Sequence, residues 1–455
     1  MSGLARYFHR GGYHVTGYDR TPSALTKELE DEGIQITFRD AVTQDLSLGL
    51  PGNNTVVIRT PAVPEDSAIY TYFREHGYDI RKRAEVLGLV TRQKKALCVA
   101  GTHGKTTTST MLAHLMKGIS DKGLSDKGIN AFLGGISMNY GTNVLIDKES
   151  EYVVVEADEY DRSFHHLTPY ISVVTAVDAD HLDIYGTEEA YREAFAYYTG
   201  LITGALVMKH GIALSPRLQE GVPCYTYGVV SERPSEGTEL PDFYAENIRV
   251  SEGKIVFDFH TPDHVVRDIE PGVPVWVNIE NAVAAMAVVW LVCGQEQPAV
   301  IGAKLREGMA SFKGVWRRFN IHVNTPKVVY IDDYAHHPQE IATAIDSIRK
   351  LYPDRKLIGV FQPHLYTRTR DFADGFRQVL GTLDECILLP IYPAREEPIE
   401  GVTSEILGGT VVEKADLVRV LKERVSASQE PVVVLTVGAG DIDRLVPEVA
   451  EGLKE

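Results

Sequence analysis

The chain has 455 residues, which is too long for one ordinary hydrophobic core and indicates roughly three domains of about 150 residues each. Its formal net charge of −17 argues against nonspecific binding to nucleic acid or to anionic membranes. The four cysteines are far apart and include no C-x-x-C pair, so we expect core thiols in a reducing compartment. The apolar stretches are too short to span a bilayer, and we expect a cytoplasmic protein without membrane insertion.

Apolar runs that end in Gly, Asp or His recur along the chain and predict parallel strands covered on both faces. These runs fall into three groups: 14–19 and 54–64; 95–107, 151–161 and 171–183; 327–338, 356–364, 386–394 and 431–443. The grouping predicts an α/β fold with three domains, at residues 1–88, 89–311 and 312–455. Residues 210–275 are rich in Pro and Gly, and we expect an irregular or antiparallel excursion there.

The stretch CVAGTHGKTTTSTM, from Cys98 to Met111, is typical of a phosphate-binding loop between a buried strand and a helix. Compared with the common pattern G-x-x-x-x-G-K-[ST], Val99 holds the place of the first glycine, and Gly101 comes two residues later. The spacing places Lys105 to reach β/γ-phosphates and the Thr106 hydroxyl to ligate Mg²⁺. The alternative is a chance Gly-Lys-Thr triplet at the start of a helix.

Two further strands of the same group end in acidic clusters, which would repel one another without a cation. The clusters contain Glu156, Asp158, Glu159 and Asp161, then Asp178, Asp180, His181 and Asp183. Carboxylates with one imidazole suit Mg²⁺, or Mn²⁺ as an alternative, held partly by ATP phosphates. Glu156 and His181 are the favoured metal ligands because both follow closely on a buried strand. For Asp158, Glu159 and Asp183 we expect helix capping or solvated charge.

Seven motifs together carry a resemblance to a known family. They are GTHGKTTT (101–108), EADEYDRSF (156–164), DADHLDIYG (178–186), NIENAVAA (278–285), RRF (317–319), DDYAHHPQEI (332–341) and QPHLYTRTRDF (362–372). The set resembles the Mur ligases over essentially the whole chain, and Thr367–Arg370 is most similar to the alanine-adding branch rather than to the branch that recycles murein tripeptide. Folylpolyglutamate synthase shares the short loop but is not expected to carry His336–Pro338.

The resemblance implies a Rossmann-like N-terminal domain, a central P-loop ATPase-type domain and a Rossmann-like C-terminal domain. It implies a ligase of peptidoglycan precursor synthesis that uses ATP and Mg²⁺ and acts on small molecules. In this family the lactyl carboxylate of UDP-N-acetylmuramate is activated by ATP as an acyl phosphate, and L-alanine then attacks its carbonyl carbon.

By the same resemblance, five groups of residues receive roles. Catalysis falls to Lys105, Glu156, His181 and His336, and the metal to Thr106, Glu156 and His181. ATP contacts are Gly101, Thr102, His103, Gly104, Lys105, Thr106, Thr107, Asn278, Asn281, Arg317 and Asp333. Amino-acid contacts are Tyr334, His336 and Arg368, and UDP-sugar contacts are Ser2, Asp19, Arg83 and His181.

Alternatives to these roles stay open at this point. Asn278 and Asn281 suit helix capping, Arg317 and Arg318 suit surface charge, and Arg370 suits a solvated face. The sequence departs from the family at Leu365, where many alanine-adding ligases have Arg, and at Val277, where a His often stands.

Two other classes of protein are alternatives to a ligase. A nucleotide-operated switch or transport ATPase would need Lys105 and Thr106 but not His336 or Arg368. A dinucleotide oxidoreductase would rest on VGAGDID (437–443), a weak pattern because the third glycine is absent.

Met1–Ala5 resembles the tail of the family's glycine-rich UDP-sugar loop. We therefore expect a natural start roughly twenty residues earlier, and poor binding of UDP-N-acetylmuramate by this chain.

Overall fold

The computed structural model describes residues 1–42, 55–60, 63–120, 128–178, 182–230, 239–251, 253–294, 297–394 and 396–454. The chain divides into two compact units. The first comprises Met1–Tyr244, His260–Val265 and Val283–Gly308, and the second comprises Ala245–Phe259, Val266–Ala282 and Met309–Glu455.

The N-terminal part of the first unit alternates short helices and strands. Its elements are α1 (Ser2–Arg10), β1 (Thr16–Tyr18), α2 (Ala24–Asp31), β2 (Gln35–Thr37), β3 (Val56–Arg59), α3 (Ala68–Glu75), β4 (Asp79–Lys82) and α4 (Arg83–Gln93). Strands β1 and β2 pair in parallel, and so do β3 and β4. Ser23 caps α2 by accepting a hydrogen bond from the Thr26 amide at 3.2 Å.

The rest of the first unit is built on a larger sheet. Its elements are β5 (Lys95–Ala100), α5 (Lys105–Ser120), β6 (Asn130–Ser137), β7 (Thr142–Leu145), β8 (Tyr152–Glu156), β9 (Pro169–Val174), α6 (Leu182–Tyr185), α7 (Glu188–Thr199), β10 (Ala205–Lys209) and β11 (Cys224–Val229). The strand order is β11-β10-β9-β5-β8-β6-β7. Strand β5 lies between β8 and β9, is parallel to both, and is buried from Ala96 to Ala100. The predicted parallel strands are therefore confirmed here.

Residues 210–275 contain more regular structure than the sequence predicts. After β11, which pairs in parallel with β10, come β12 (Phe243–Ser251), β13 (Lys254–His260) and β14 (Val265–Ile269), in the order β14-β13-β12. For β11, the parallel pairing contradicts the expected irregular or antiparallel excursion. The Pro and Gly residues suggested breaks, but the tertiary pairing of the strands prevailed.

A long apolar helix follows these strands. Helix α8 (Trp276–Val289) continues as one π-helical stretch (Trp290–Gly294), and α9 (Pro298–Ser311) comes next. In the described part of the chain, Trp276–Gly294 alone has the length and apolar composition of a membrane span, which corrects the expectation that every apolar stretch is too short. The protein itself buries 72% of this span, as it would a core helix.

The C-terminal part of the second unit is an α/β sheet with helices. Its elements are β15 (Asn320–Asn324), β16 (Val328–Asp333), α10 (Pro338–Leu351), β17 (Lys356–Phe361), α11 (Tyr366–Asp371), α12 (Ala373–Leu380), β18 (Glu385–Leu388), β19 (Thr410–Val411), α13 (Leu417–Ala427), β20 (Val432–Val437) and α14 (Val446–Lys454). The strand order is β15-β16-β20-β17-β18-β19, and only the β15–β16 pair is antiparallel.

The register of this sheet brings three strand ends to one level. Asp333 at the end of β16 and Phe361 at the end of β17 both pair with Val437 at the end of β20. The segments that follow these three residues therefore leave the same edge of the sheet. In open α/β sheets that carboxyl edge is where ligands bind.

All four cysteines are free thiols, as expected, but they are not all in the core. Cys98 is buried, Cys293 and Cys386 are partly buried, and Cys224 is exposed. The expectation of core thiols is wrong for Cys224, which begins strand β11.

Candidate active site

The phosphate loop, residues 101–104, joins the buried strand β5 to helix α5. Gly101 has φ of 132° and Gly104 has φ of 80°, a region that favours glycine. A Cβ atom on Gly101 would lie 2.1 Å from the Thr175 hydroxyl oxygen, so packing against the end of β9 also requires glycine. The Thr102 hydroxyl donates to the Asp178 carbonyl at 2.8 Å and fixes the outer part of the loop.

Lys105 is the first residue of α5, and its ammonium group is fully hydrogen-bonded inside the first unit. Its Nζ donates to the carbonyl oxygens of Gly101 at 2.6 Å and Thr102 at 3.3 Å, and to Glu159 Oε1 at 2.8 Å. The Glu159 side chain is 2% exposed. Burial raises the pKa of Glu159, while the nearby Lys105 charge opposes the rise.

The expectation of helix capping or solvated charge is therefore wrong for Glu159. The chain turns sharply after it, because Asp161 and Arg162 take positive φ values of 51° and 54°. The Tyr185 hydroxyl also bonds to the Glu159 carbonyl, so this residue is held inside the unit. Asp158 behaves as expected, because its Oδ1 caps the next segment by accepting from the Tyr160 amide at 3.1 Å.

Glu156 ends strand β8 beside the first turn of α5. Its Oε1 accepts from the Thr106 hydroxyl at 3.1 Å, and its Oε2 accepts from the Gly134 amide at 3.0 Å. Burial raises the pKa of Glu156, and Lys105 acts in the opposite direction. A partly buried carboxylate beside a hydroxyl has the chemistry of a partial magnesium site, which substrate phosphates and water complete.

The other predicted residues of this region are placed less completely. His103 is exposed and Thr107 is partly buried. His181 and Asp180 lie outside the described residues, and so does the side chain of Asp183. Within the described ranges, no group of three or more His, Cys, Asp and Glu side chains is placed to hold a metal. The donors Thr106 and Glu156 fit a magnesium ion bound mainly through phosphates, which needs few protein ligands.

In the second unit, Arg317 is buried and paired. Its Nε donates to Asp332 Oδ2 at 3.1 Å, and its Nη2 donates to the Gly438 carbonyl at 2.7 Å. The Thr436 hydroxyl donates to the other carboxylate oxygen of Asp332 at 2.8 Å. The surface-charge alternative is therefore wrong for Arg317, which is 5% exposed. The Arg318 guanidinium lies 5.2 Å from the centre of the Tyr334 ring.

Asp333, the last residue of β16, links the residue before β15 to the segment that follows β16. Its two carboxylate oxygens accept from the Phe319 amide at 2.8 Å and from the Ala335 amide at 2.7 Å. Burial raises the pKa of Asp333 to about 6, against the opposing charge of Arg318. Asp333 thus has two backbone donors, whereas Asp332 has the guanidinium of Arg317.

Asn278 and Asn281 lie side by side in the first turns of α8 and are both buried. The Asn281 amide donates to Asn278 Oδ1 at 3.1 Å, and the Asn278 amide donates to the Val273 carbonyl at 3.2 Å. Val277, which comes directly before Asn278, is 38% exposed. The two amides thus form a connected pair inside the unit.

A histidine–arginine group, defined as His336, His364 and Arg368, forms where β16 and β17 end. His336 Nδ1 lies 3.1 Å from the Tyr334 carbonyl, and Arg368 Nη1 lies 3.3 Å from His364 Nδ1. The two imidazole centres are 6.4 Å apart. Burial, followed by smaller contributions that include the Arg368 charge, lowers the pKa of both histidines. Among the residues that the structure describes, no carboxylate forms a salt bridge with Arg368.

His364 was not singled out from the sequence, although a usable signal was there. It follows the buried strand β17 closely, which is the same signal that picked out Glu156. Its ring stacks on Tyr392 with centroids 5.8 Å apart.

The neighbouring Leu365 has φ of 71°, a strained value for a branched residue, at the start of α11. Arg370 is exposed and pairs with Asp371 at 2.8 Å, which agrees with the solvated alternative.

Of the predicted UDP-sugar residues, the three that the structure describes lie around the start of α1. Ser2 is buried, whereas Asp19 and Arg83 are exposed. Burial lowers the pKa of the Met1 amino group, Arg83 lowers it further, and Asp19 raises it, so these charges lie within electrostatic reach. A cavity of about 360 Å³ beside β1 and β2, lined by Thr16, Gly17, Glu30 and residues 33–37, includes none of the predicted residues.

The glycines of VGAGDID have a structural explanation. A Cβ atom on Gly440 would lie 2.4 Å from Gln362 Oε1, and one on Gly438 would lie 2.7 Å from the Gln362 carbonyl. The Gln362 amide also donates to Asp441 at 2.8 Å. The protein's own buried glutamine therefore occupies the space that glycine leaves, and the dinucleotide alternative loses its basis.

A strand–glycine loop–helix with a partly buried lysine, beside a hydroxyl and carboxylates, defines an α/β protein of the phosphate-handling class. Comparison with known families gives the class a name. Residues 1–95 match the "Mur ligase family, catalytic domain", residues 99–289 match the "Mur ligase middle domain", and residues 317–440 match the "Mur ligase, glutamate ligase domain". The chain belongs to the Mur ligase family, and it is therefore an ATP-dependent ligase.

Individual relatives cover the full chain. It is 53% identical to a UDP-N-acetylmuramate–L-alanine ligase of Parabacteroides distasonis, over 99% of this chain and 94% of the relative. It is 48% identical to one of Porphyromonas gingivalis, over 100% and 96%. Among solved structures, a UDP-N-acetylmuramate-alanine ligase of Thermotoga maritima matches with a TM-score of 0.74 and 26% identity, over 100% of this chain and 96% of that one. A murein peptide ligase of Psychrobacter arcticus shares the fold, with a TM-score of 0.62 and 20% identity over 100% and 96%.

Proposed function

We propose that this protein joins L-alanine to the lactyl carboxylate of UDP-N-acetylmuramate at the expense of ATP, in peptidoglycan precursor synthesis. The observation that carries the proposal is the 53% identity to a relative of that name over 99% of the chain. The local chemistry supports it, because the two units supply the two kinds of side chain that such a reaction needs. One unit has a lysine and carboxylates at a phosphate loop. The other has a guanidinium, Arg368, that pairs with no carboxylate among the described residues and lies beside histidines whose pKa values are lowered, first by burial.

In the first half-reaction, a lactyl carboxylate oxygen attacks the γ-phosphorus of ATP, and ADP leaves as the acyl phosphate forms. The backbone amides of residues 101–104 and the dipole of α5 favour the negative charge of the phosphates. Lys105 donates to the oxygens on which charge develops as the phosphoryl group moves. Thr102, His103, Thr106 and Thr107 border the same loop and are assigned to ATP with Gly101 and Gly104.

Thr106 and Glu156 would hold Mg²⁺, and His181 is assigned to the same ion from its sequence position. A bound Mg²⁺ neutralises phosphate charge and orients the phosphoryl group. The Thr106 hydroxyl and the Glu156 carboxylate lie within hydrogen-bond distance of each other, which supports a shared ligand. Mn²⁺ has similar oxygen and imidazole preferences and is the expected substitute.

In the second half-reaction, the alanine amine attacks the acyl carbon, phosphate leaves, and the nitrogen loses a proton. Arg368 is assigned to the alanine carboxylate, since a guanidinium binds a carboxylate through two parallel hydrogen bonds. His336 is assigned to the amine. Because its Nδ1 donates to the Tyr334 carbonyl, its Nε2 carries the lone pair that accepts a proton. Tyr334 borders this group through its ring, 5.2 Å from that of His336.

The remaining assignments concern binding. Asn278 and Asn281 are assigned to the adenine, and Arg317 with Asp333 to the ribose and phosphates. Ser2, Asp19, Arg83 and His181 are assigned to the UDP-sugar. We divide the chain into domains at 1–88, 89–311 and 312–455, and place the reaction in the cytoplasm, where ATP is available.

The test measures phosphate release from ATP by the full chain with UDP-N-acetylmuramate and L-alanine, each alone and together. Release that requires both substrates, with the alanyl product found by mass spectrometry, supports the proposal. Release with the murein tripeptide in place of alanine would instead indicate the recycling ligase. Release without either substrate would indicate an ATPase of another class.

A further inference from the structure

The ion pair between Lys105 and Glu159 has no role in the proposed phosphoryl transfer, yet it uses one of the hydrogen-bond donors of Lys105. A lysine ammonium has three N–H donors. In this structure the three acceptors are Gly101 O, Thr102 O and Glu159 Oε1, at 2.6, 3.3 and 2.8 Å. A phosphate oxygen that binds Lys105 must therefore replace one of these acceptors.

Glu159 is the acceptor that carries a full negative charge. Its second oxygen, Oε2, lies 2.8 Å from the same Nζ but is buried without a hydrogen-bond partner of its own. The two carbonyl groups belong to the loop backbone and are fixed by its geometry, whereas Glu159 approaches from the segment after β8. The pair is shielded from water, with side-chain exposures of 15% for Lys105 and 2% for Glu159. Its attraction is therefore weakened little by solvent.

We propose that Glu159 is a positioning residue that acts through Lys105, as an internal counter-ion that competes with the nucleotide's phosphates for the lysine. It keeps the ammonium aimed across the phosphate loop while no nucleotide is bound. A nucleotide binds by exchanging a phosphate oxygen for the Glu159 carboxylate. The inference rests on the proposed function only in assigning phosphates to Lys105.

The test is the affinity of the full chain for ADP with Mg²⁺, measured by calorimetric titration without UDP-N-acetylmuramate or alanine. Glu159→Gln removes the competing charge and keeps the shape, so its dissociation constant should fall about tenfold. Asp158→Asn is the matched control, since it removes a neighbouring charge that caps Tyr160 and does not contact Lys105, and it should change the constant less than about twofold. Tighter binding is a change that simple structural damage does not produce.

The same substitution in a variant without Lys105 tests whether Glu159 affects ADP binding through that lysine. In Lys105→Met, adding Glu159→Gln should leave ADP affinity unchanged, because the competition needs the lysine. Equal or weaker binding in Glu159→Gln alone, or the same gain without Lys105, would overturn the proposal. If Glu159→Gln does not fold, Glu159→Asp replaces it. Its shorter side chain lengthens the contact, so binding must still be tighter than in the native chain, and equal or weaker binding counts against the proposal.

The ligase assay keeps this outcome separate from that of the proposed function. If Glu159→Gln leaves the ADP affinity unchanged while the native chain makes the alanyl product, the role of Glu159 is refuted and the activity stands. If Glu159→Gln binds ADP tenfold more tightly while the native chain makes no such product, the activity is refuted and the role of Glu159 as a counter-ion stands.

Discussion

Lys105 and Arg368 are two cations proposed to bind anionic groups, and their surroundings differ. Lys105 already has a carboxylate partner, Glu159, at 2.8 Å, and its three donors are used. Arg368 has no carboxylate partner within the described parts of the chain and lies against a histidine instead. The protein therefore neutralises the charge of Lys105, whereas no described carboxylate neutralises the charge of Arg368.

The difference matches what each would bind. A nucleotide brings several negative charges, which suffice to displace one glutamate from a lysine. A single amino acid brings one carboxylate, so an arginine that was already paired would gain little from binding it. The neighbouring histidines, whose pKa values are lowered, add no competing positive charge near neutral pH. We infer that the amount of internal neutralisation is fitted to the charge of the incoming group.

The largest expected effect comes from replacing Lys105, the cation that Glu159 neutralises. Lys105→Met should lower the rate of phosphate release with both substrates by about 10³-fold, because a donor aimed at developing charge is lost. The variant also leaves Glu159 buried without its cation, so its melting temperature should fall. The double variant Lys105→Met/Glu159→Gln should regain stability but not activity. Near-native phosphate release by either variant would refute the role of Lys105.

A smaller effect is expected on the unpaired side. Arg368→Met should raise the KM for alanine by about tenfold or more, since a hydrogen bond to a charged group contributes roughly 1.5–3 kcal/mol. The KM for ATP should stay within about twofold of the native value. Arg370→Met is the matched control, because Arg370 is exposed and pairs with Asp371, and it should leave both constants unchanged. An altered ATP constant with a native alanine constant would assign Arg368 to the nucleotide.

The next prediction concerns the metal site beside Lys105. Glu156→Gln should raise the Mg²⁺ concentration for half-maximal activity several-fold more than Asp158→Asn does. The reason is that Glu156 contacts the Thr106 hydroxyl, whereas Asp158 caps a backbone amide. Titrating Mg²⁺ at saturating substrates measures both variants. Superimposable titration curves would contradict the assignment of the metal to Glu156.

The smallest effect concerns pH. The pKa of His336 is lowered by burial and by Arg368, so the imidazole is neutral above that lowered value and charged below it. The alanine-dependent rate should therefore decline as the pH falls through this pKa. Removing the Arg368 charge raises the pKa, so the acid limb of kcat/KM for alanine should move to higher pH in Arg368→Met and stay in place in Arg370→Met. An acid limb at the same pH in all three proteins would exclude His336 as the proton acceptor.

Much of the fold follows from local sequence patterns. The buried runs 95–100, 152–156 and 328–333 form strands β5, β8 and β16 because continuous apolar residues bounded by polar ones suit a covered parallel sheet. The strands of residues 210–275 were missed in part, since the parallel pairing of β11 depends on its neighbour β10 and not on its own residues.

The candidate site divides in the same way. The sequence by itself determined Lys105, Thr106 and Glu156 as candidates, because a glycine loop or a carboxylate directly after a buried strand is a signal within a few residues. It also determined the family, since motifs spread over the whole chain occur in the family's order.

Only the tertiary structure decided which charges are buried and which side chains neutralise them. Glu159 lies 54 residues from Lys105, Asp332 lies 15 from Arg317, and Gln362 lies 79 from Asp441. No local pattern relates such pairs, because their distance depends on how strands far apart in the chain come together in one sheet. Burial then makes each pairing strong, since a charge removed from water is stabilised mainly by the partner that the fold places beside it.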